Sequence, residues 1–452
     1  ASWWPERTAQ VTGVPAEQIR RTARALAQAS SEAKTGGKPV YILTGRGIEQ
    51  HANGTDTVTA AINLALLLGL PGTMAGGYGT ITGQGNGQGG REHGQKCDQL
   101  PGYRKITDPE HRAQVARVWG VDPEIIPGPG LPAVELLEAL GTPTGPRMMM
   151  IHGANPVISA PDASKVSRSL ASLDFLVVCD FFLSETAAQA DLVLPVLQWA
   201  EEEGSMTNLE GRILRRRAAL EAPGNARSEL WILSQLAQRL DAPGHFSPDP
   251  REVFEELKEA SAGGLADYSG VRWDDLDAGA AIYWPCPAGT EVRAEPGIRN
   301  GTPRLFLDGF AHADRRAVLV PVAFQPAPRK SAAAVSLVTG RLLEHYQSGA
   351  QTRRVPELAH AAPEPMLEIH PATALAHRIV QGQKVVISNE RGEVTARALL
   401  TADARLDTVF LPFHYPGAGT ANLLTEAKVD PHSRMPEFKH AHVSLNTVEE
   451  EQ

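Results

Sequence analysis

Two periods alternate along the chain. After Pro15, the apolar residues Ile19, Ala23, Leu26 and Ala27 recur at helical spacing, with Arg20, Arg21 and Arg24 among them. Residues 39–45 form a short apolar run ending in glycine, which predicts a buried strand. Residues 56–68 predict a largely buried helix, closed by Gly69-Leu70-Pro71-Gly72. The same grammar returns at 148–153 and at 173–180, with a helix expected from Ser184 and a third strand at 191–195. Strand, glycine loop and helix in close succession predict an α/β fold of Rossmann-like parallel-sheet layers.

From about residue 241 the pattern weakens as proline and glycine become frequent. Residues 284–303 read as a long irregular connection, and 321–330 as a proline-rich linker carrying two basic residues. Beyond it, apolar residues alternate at 335–339, 383–388, 393–398 and 408–411, with Asn389-Glu390-Arg391-Gly392 as a hairpin turn. This last part predicts a β-rich, barrel-like domain. Three domains follow: an α/β domain over 1–146, a second α/β domain with a long irregular connection over 147–330, and the barrel over 331–452. The chain has 452 residues, in keeping with that number.

Composition narrows the classes of function. Hydrophobic residues make up 42% and charged residues 21%, which is ordinary for a globular chain. The 43 lysines and arginines against 52 aspartates and glutamates leave a formal charge of −9, which argues against a global grip on nucleic acid or an anionic membrane. The longest apolar run, 60–68, contains Asn63 and is too short to span a bilayer. Cys97, Cys179 and Cys286 are dispersed, so neither a disulfide framework nor a Cys-based zinc or iron–sulfur signature is present. The first residues lack a charged-then-apolar signal pattern, and a cytoplasmic location is expected.

Four stretches carry candidate chemistry. In residues 75–96, Gln84, Asn86 and Gln88 alternate with glycines; the stretch is either a flexible loop or one that presents amides to a heteroaromatic ring. It satisfies G-x-G-x-x-G at Gly85, Gly87 and Gly90, but no strong strand is expected to lead into it. Asn155 and Asp180 follow two expected strands, where open α/β sheets bind ligands. Asp180 there could accept two N–H groups from a guanine edge, or simply cap a helix. Residues 339–354 pack Thr339, Gly340, Arg341, His345 and Ser348 with Arg353 and Arg354, which suits an anion or a solvated loop. His414 opens a glycine-containing stretch with Asn422, and Lys439 follows.

Taken together these segments resemble the molybdopterin oxidoreductases that carry a bis(molybdopterin guanine dinucleotide) cofactor. The most specific stretch is 82–96, continuing through Asp98-Gln99-Leu100-Pro101-Gly102-Tyr103-Arg104. Ser184-Glu185-Thr186, residues 190–195 and 203–212, Thr339-Gly340-Arg341 and residues 366–371 support it. The resemblance implies a C-terminal double-psi β-barrel and the cofactor Mo-bis(molybdopterin guanine dinucleotide). It implies pterin contacts at Arg46 and Gln50, a guanosine contact at Asn155 and Asp180, and a loop around a pyranopterin and diphosphate from Thr339 to Ser348. Asn422 and Lys439 would be further pterin contacts.

The implied reaction is reduction of nitrate to nitrite, with a formate-oxidising relative as the alternative. Electrons would come from ferredoxin, flavodoxin or an NADH-linked subunit. Arg353 and Arg354 are weak candidates for attracting the substrate anion. The family's four iron–sulfur cysteines and its molybdenum-ligand cysteine are not matched in this sequence. The chain therefore resembles the C-terminal part of such an enzyme. A [4Fe-4S] cluster and the metal thiolate are expected only in an N-terminal segment, and the isolated chain is expected to be a non-catalytic cofactor cradle.

Overall fold

The computed structural model describes residues 3–324 and 334–448. Val40–Gly45 pairs in parallel with Gly76–Ile81, Val40 opposite Gly76 and Gly45 opposite Ile81. Helix Gly54–Leu67 forms the crossover between them. The second of these strands corrects the expectation that no strand leads into the glycine-rich loop. Its composition hid it, because the strand itself is Gly-Gly-Tyr-Gly-Thr-Ile. The neighbouring strand requires this: a Cβ at Gly76 would overlap the carbonyl oxygen of Val40.

A second parallel sheet sets Met148–His152, Phe175–Asp180 and Leu192–Pro195 side by side. Phe175–Asp180 is central, and its Leu176, Val177, Val178 and Cys179 are buried. Helix Ala163–Ala171 crosses between the first two strands, packing Val166 and Leu170 against Ile151, Leu176 and Val178. Its start is capped by the Asp162 carboxylate, which accepts from the Lys165 amide. The helix expected from Ser184 is only the short turn Ala187–Gln189. Two polar contacts explain this. The Ser184 hydroxyl donates to Asp180 and accepts from the Ala187 amide, and Asp191 caps back onto the Leu176 amide. The chain is thus tied at both ends of a tight crossover and returns to the sheet at Leu192.

Beyond residue 241 the irregularity read from proline and glycine gives way to ordered structure. Helix Pro250–Ser261 starts at the Asp249 cap, and Trp273–Asp277 and the strand Ala281–Tyr283 follow. Phe254, Tyr268, Trp273, Leu276 and Ile282 make their own core. Pro250 stands in the first turn of its helix, where the missing N–H costs nothing, so proline marks an end rather than an interruption. Gly204–Thr207, Arg212–Arg216, Ala281–Tyr283 and Arg299–Gly301 form a four-stranded sheet, the last strand lying inside the stretch expected to be irregular. Residues 325–330 of the expected linker lie outside the described residues.

The last part is a closed six-stranded barrel. Around it run Val335–Gly340, Thr408–Pro412, Met366–Ile369, Glu393–Leu400, Lys384–Ser388 and Ala441–Thr447. Alternate residues point inward, and Leu337, Leu367, Ile369, Ile387, Val409 and Leu411 are almost fully buried. The hairpin at 389–392 forms as expected, with the Asn389 amide donating to the Gly392 carbonyl at 3.0 Å. Ala441–Thr447, which the alternation did not mark, closes the barrel by pairing antiparallel with both Val335–Gly340 and Lys384–Ser388.

The barrel core predicts its own sensitivity. Leu367→Ala removes a side chain with no exposed surface, and such truncations cost about 2–5 kcal/mol. We expect a loss of that size in chemical denaturation of the barrel, while an exposed Leu343→Ala change leaves the midpoint unmoved.

Candidate functional site

The C-terminal ends of the second parallel sheet, the glycine-rich loop and the loop after Val335–Gly340 enclose a cavity of about 850 Å³. Gln84, Asn86, Asn155, Asp180 and Ser348 line it, five residues that the sequence pointed to. Phe181, Phe182, Trp199, Arg216, Tyr346 and Gln347 also line it. Phe181, Phe182, Trp199 and Arg216 lie outside the four stretches singled out in the sequence, whereas Tyr346 and Gln347 lie within 339–354 but were not named there. A cavity lined by aromatic faces, amides and one carboxylate suits a large heteroaromatic ligand.

Asp180 ends the central strand. Its Oδ1 accepts from the Phe181 amide at 2.9 Å and its Oδ2 from the Ser184 hydroxyl at 2.8 Å. A carboxylate has about four lone-pair sites, so these two bonds orient the group and leave capacity for donors in the cavity. Asn155 is different. Its Oδ1 accepts from the Thr186 amide at 3.1 Å and hydroxyl at 2.8 Å, and its Nδ2 donates to Glu185 at 2.7 Å and Ser348 at 3.2 Å. Asn155 therefore holds the walls together. Asn86 has φ 58°, and its carboxamide oxygen accepts from the Thr207 amide at 2.9 Å. Gly89 must lack a side chain because that carboxamide fills the space a Cβ would take.

A second group of predicted residues gathers beside the cavity rather than in it. The Phe438 and Lys439 amides both donate to the Gln50 carbonyl, at 3.1 and 3.2 Å. The Thr339 hydroxyl donates to the Phe438 carbonyl at 2.7 Å, and Lys439 Nζ donates to the Thr339 carbonyl. Burial first, and the charge of Arg341 second, push Lys439 down to about 8. Burial, joined by the charge of Arg46 and opposed by Tyr346, also holds Arg341 below its ordinary value, and Lys96 is lowered by burial and by Arg91 and Arg46. Glu49 pairs with Arg46 at 3.1 Å, but the positive charges still act on one another. The arrangement gathers positive charge that an anion would relieve. It borders the cavity directly: Arg341 donates to Gln347 at 2.9 Å, and Gly83 lies against both side chains.

The remaining candidates act inside the protein. His414 Nδ1 donates to the Gln347 carbonyl at 2.6 Å, while its Nε2 accepts from the Leu342 amide at 2.8 Å. Burial pushes it down to about 4, so it is neutral at neutral pH and braces the loop after the first barrel strand. His345 contacts the Thr352 hydroxyl at 3.0 Å and the Ala362 carbonyl at 2.9 Å. Asn422 is buried and donates to the Ile158 carbonyl at 2.7 Å, tying barrel to sheet. Gly340 lies beneath the Phe410 ring. Arg353 pairs with Glu185 at 2.6 Å, and Arg354 donates to the Leu183 carbonyl at 2.8 Å above the Phe182 ring.

Glu92, within the glycine-rich motif, is fully buried. It accepts from the Thr207 hydroxyl at 2.8 Å and from the Tyr268 hydroxyl, so it fastens the loop to the four-stranded sheet and its core. Burial pushes its carboxyl up to about 7, although both hydrogen bonds favour the ion. Among the described residues no group of three or more His, Cys, Asp or Glu could hold a metal ion. Cys97 is exposed, and Cys179 and Cys286 are buried in cores. No helix of the described residues is long and apolar enough to cross a membrane.

Comparison with known proteins gives the family. Residues 20–239 match the family profile of molybdopterin oxidoreductases, and residues 335–442 that of the molybdopterin dinucleotide binding domain. The chain is 41% identical to the assimilatory nitrate reductase catalytic subunit of Bacillus subtilis, over 95% of this chain and 59% of that protein. It is 33% identical to the F420-dependent formate dehydrogenase subunit alpha of Methanocaldococcus jannaschii, over 98% of this chain and 62% of that protein. The chain thus spans about three fifths of the length of these curated relatives. Acetylene hydratase from Pelobacter acetylenicus shares the fold, with a TM-score of 0.65 at 16% identity over 98% of this chain and 64% of that structure.

The buried acid generates a pH test. A carboxyl whose value rises from 4.5 to about 7 on folding adds stability that is complete below 4.5 and is lost as pH climbs through 7. The loss is on the order of 3 kcal/mol. Glu92→Gln keeps an acceptor for Tyr268 and Thr207 and cannot ionise. We expect the melting temperature of the parent to fall relative to the variant between pH 5 and pH 7, and a pH-independent difference would show that Glu92 does not titrate there.

Proposed function

The chain belongs to the molybdopterin oxidoreductase family, and on that premise we propose that it forms the cofactor-cradling portion of an enzyme that reduces nitrate to nitrite. The observation that carries this reading is the pairing of a polar, aromatic cavity with an adjoining cation group poor in carboxylates. Mo-bis(molybdopterin guanine dinucleotide) carries both heteroaromatic rings and phosphates, and the donors present fit it. When bound, the molybdenum centre supplies two-electron oxygen-atom transfer from nitrate.

The chain's own residues bind and orient that group. Asp180, held by Phe181 and Ser184, presents its free lone pairs to a guanine edge. Gln84 contributes amide contacts from the glycine-rich loop. Arg46, Gln50, Arg341 and Lys439 receive pterin and phosphate groups, with Thr339, Gly340, His345, Ser348 and His414 shaping the loop around them. Asn86, Asn155 and Asn422 fix the walls. Arg353, already paired with Glu185, serves the cradle more than the substrate. We read the chain as three units divided near residues 146 and 330, the last a double-psi barrel. Electron delivery from an iron–sulfur cluster and a soluble donor is part of the same proposal, as is a cytoplasmic location.

Nitrate is favoured over formate by the higher identity to the nitrate reductase subunit, 41% against 33%. None of the three cysteines adjoins the cavity among the described residues, so we assign the metal thiolate to residues outside this sequence. We expect nitrite formation with reduced viologen only when the chain is joined to, or co-expressed with, a segment bearing a four-cysteine motif and a ligand cysteine. Turnover by the cofactor-loaded chain alone at the rate of a complete enzyme would overturn the cradle reading. Formate oxidation without nitrate reduction would replace the substrate.

Asp180→Ala in the joined protein should weaken retention of the cofactor by about 1.5–3 kcal/mol, the range for a charge-assisted bond. Molybdenum content after dialysis measures it, with the melting temperature of the cofactor-free chain as control. Equal molybdenum content in variant and parent would reduce Asp180 to a cap for its own turn.

A further inference from the structure

The two walls of the cavity meet at one carboxylate that the function so far leaves unused. Glu185 lies in the turn after the central strand, between the buried Ser184 and Thr186. Its Oε1 accepts from Arg353 Nη2 at 2.6 Å and its Oε2 accepts from Asn155 Nδ2 at 2.7 Å. Arg353 belongs to the barrel side and Asn155 to the sheet side. The same Asn155 amide also reaches Ser348 of the barrel loop at 3.2 Å. One residue further on, Arg354 donates to the Leu183 carbonyl at 2.8 Å, so the turn 183–186 is stitched to the segment 348–354.

The joint is sheltered and stiff on both sides. The side chains of Arg353 and Glu185 are 24% and 25% exposed, well below an ordinary surface pair. Burial alone would raise the Glu185 carboxyl, but the bonds from Arg353 and Asn155 outweigh it and hold the group below its usual range. On the barrel side, His414 grips Leu342 and Gln347. Gly349 has φ 75°, and a Cβ there would strike the His414 carbonyl and the Arg353 side chain. The loop is therefore built as a firm wall, and it is linked to the opposite wall by the Glu185–Arg353 pair, the Asn155–Ser348 bond and the Arg354–Leu183 bond, of which the Glu185–Arg353 pair alone joins two charged side chains.

Tyr346, Gln347, Ser348, Ala350 and Gln351 of the barrel side line the cavity, so movement of that segment changes the room a ligand has to enter and leave. We propose that Glu185 is a positioning residue that closes the joint between the walls, holding residues 346–351 of the barrel side against the sheet through Arg353 and Asn155, and so governing how fast a guanine nucleotide enters and leaves. The inference rests on reading the cavity as a guanosine site. Losing the joint lowers the barrier to both entry and exit, so both rates rise together while the affinity changes less.

The test uses the full chain and two readouts. Amide hydrogen exchange over residues 346–351 reports the wall directly, with no ligand present. Stopped-flow binding of a fluorescent guanosine diphosphate analogue reports the passage. In Glu185→Gln and in Arg353→Gln we expect exchange to quicken about tenfold, and association and dissociation rates to rise by a similar factor. The double variant Glu185→Arg with Arg353→Glu should recover part of the parent's slow exchange, which a merely destabilised chain would not do. Unchanged exchange in both single variants would overturn the joint. Quickened exchange with unchanged nucleotide rates would overturn its role in passage. A parent chain that binds no guanosine diphosphate would overturn the guanosine reading, and with it the gate, while the exchange data would still decide whether Glu185 holds the wall.

Discussion

Asn155 commits both ends of its carboxamide to its neighbours, and the cleft depends on that commitment. Its oxygen takes two donors from Thr186 and its nitrogen serves Glu185 and Ser348. A buried amide with any of these bonds missing would carry a desolvation cost of about 1–3 kcal/mol. The backbone around it is therefore constrained to one arrangement. Because Thr186 and Glu185 follow directly from Asp180, the same constraint sets the direction in which Asp180 presents its carboxylate. Because Ser348 comes from the barrel, it also sets the distance between the two halves of the site.

Each wall is rigid because it grows from its own core. The sheet side rests on Ile151, Leu176 and Val178 packed against the helix Ala163–Ala171. The barrel side rests on an interior of Leu367, Ile369, Ile387, Val409 and Leu411. Strands deliver the chain to the cleft at their C-terminal ends, where the backbone is released from pairing and its polar groups can serve a ligand. The glycine-rich loop is bound in a third way, through Glu92 to Thr207 and Tyr268, so a stretch that looks pliant in composition is pinned at its far end.

Charge within the site runs against charge over the whole. The chain carries a formal −9, yet Arg46, Arg91, Lys96, Arg341 and Lys439 collect where carboxylates are scarce. Burial is the main cause of the lowered values of Lys96, Arg341 and Lys439, and repulsion from neighbouring arginines adds to it, a cost that an anionic ligand would relieve. The neutral state of His414, pushed down to about 4, spares the loop one more positive charge.

Much of this was readable along the chain. Apolar runs marked Val40–Gly45, the three strands of the second parallel layer and most of the barrel, though the first of these strands leaves Tyr41 and Leu43 exposed rather than buried. The motif 82–96 and the tips at Asn155 and Asp180 marked the cavity, because polar residues at strand ends and in a glycine-rich loop face the space the strands leave open, even though Asn86 and Asn155 prove to be spent on the walls themselves. Tertiary structure decided the rest. Gly76–Ile81 is a strand because it pairs with Val40–Gly45, and it carries glycine at 76, 77 and 79 because that strand lies close there. The expected helix after Ser184 is cut short by Asp180 and Asp191. Order after residue 241 comes from a core in which Phe254, Tyr268, Trp273, Leu276 and Ile282, spaced with no single period, close around Ile213 of an earlier strand. Above all, Glu185, Arg353, Asn155 and Ser348 meet from segments well over a hundred residues apart. No local pattern records such a meeting, since it is fixed by how two separately folded cores pack.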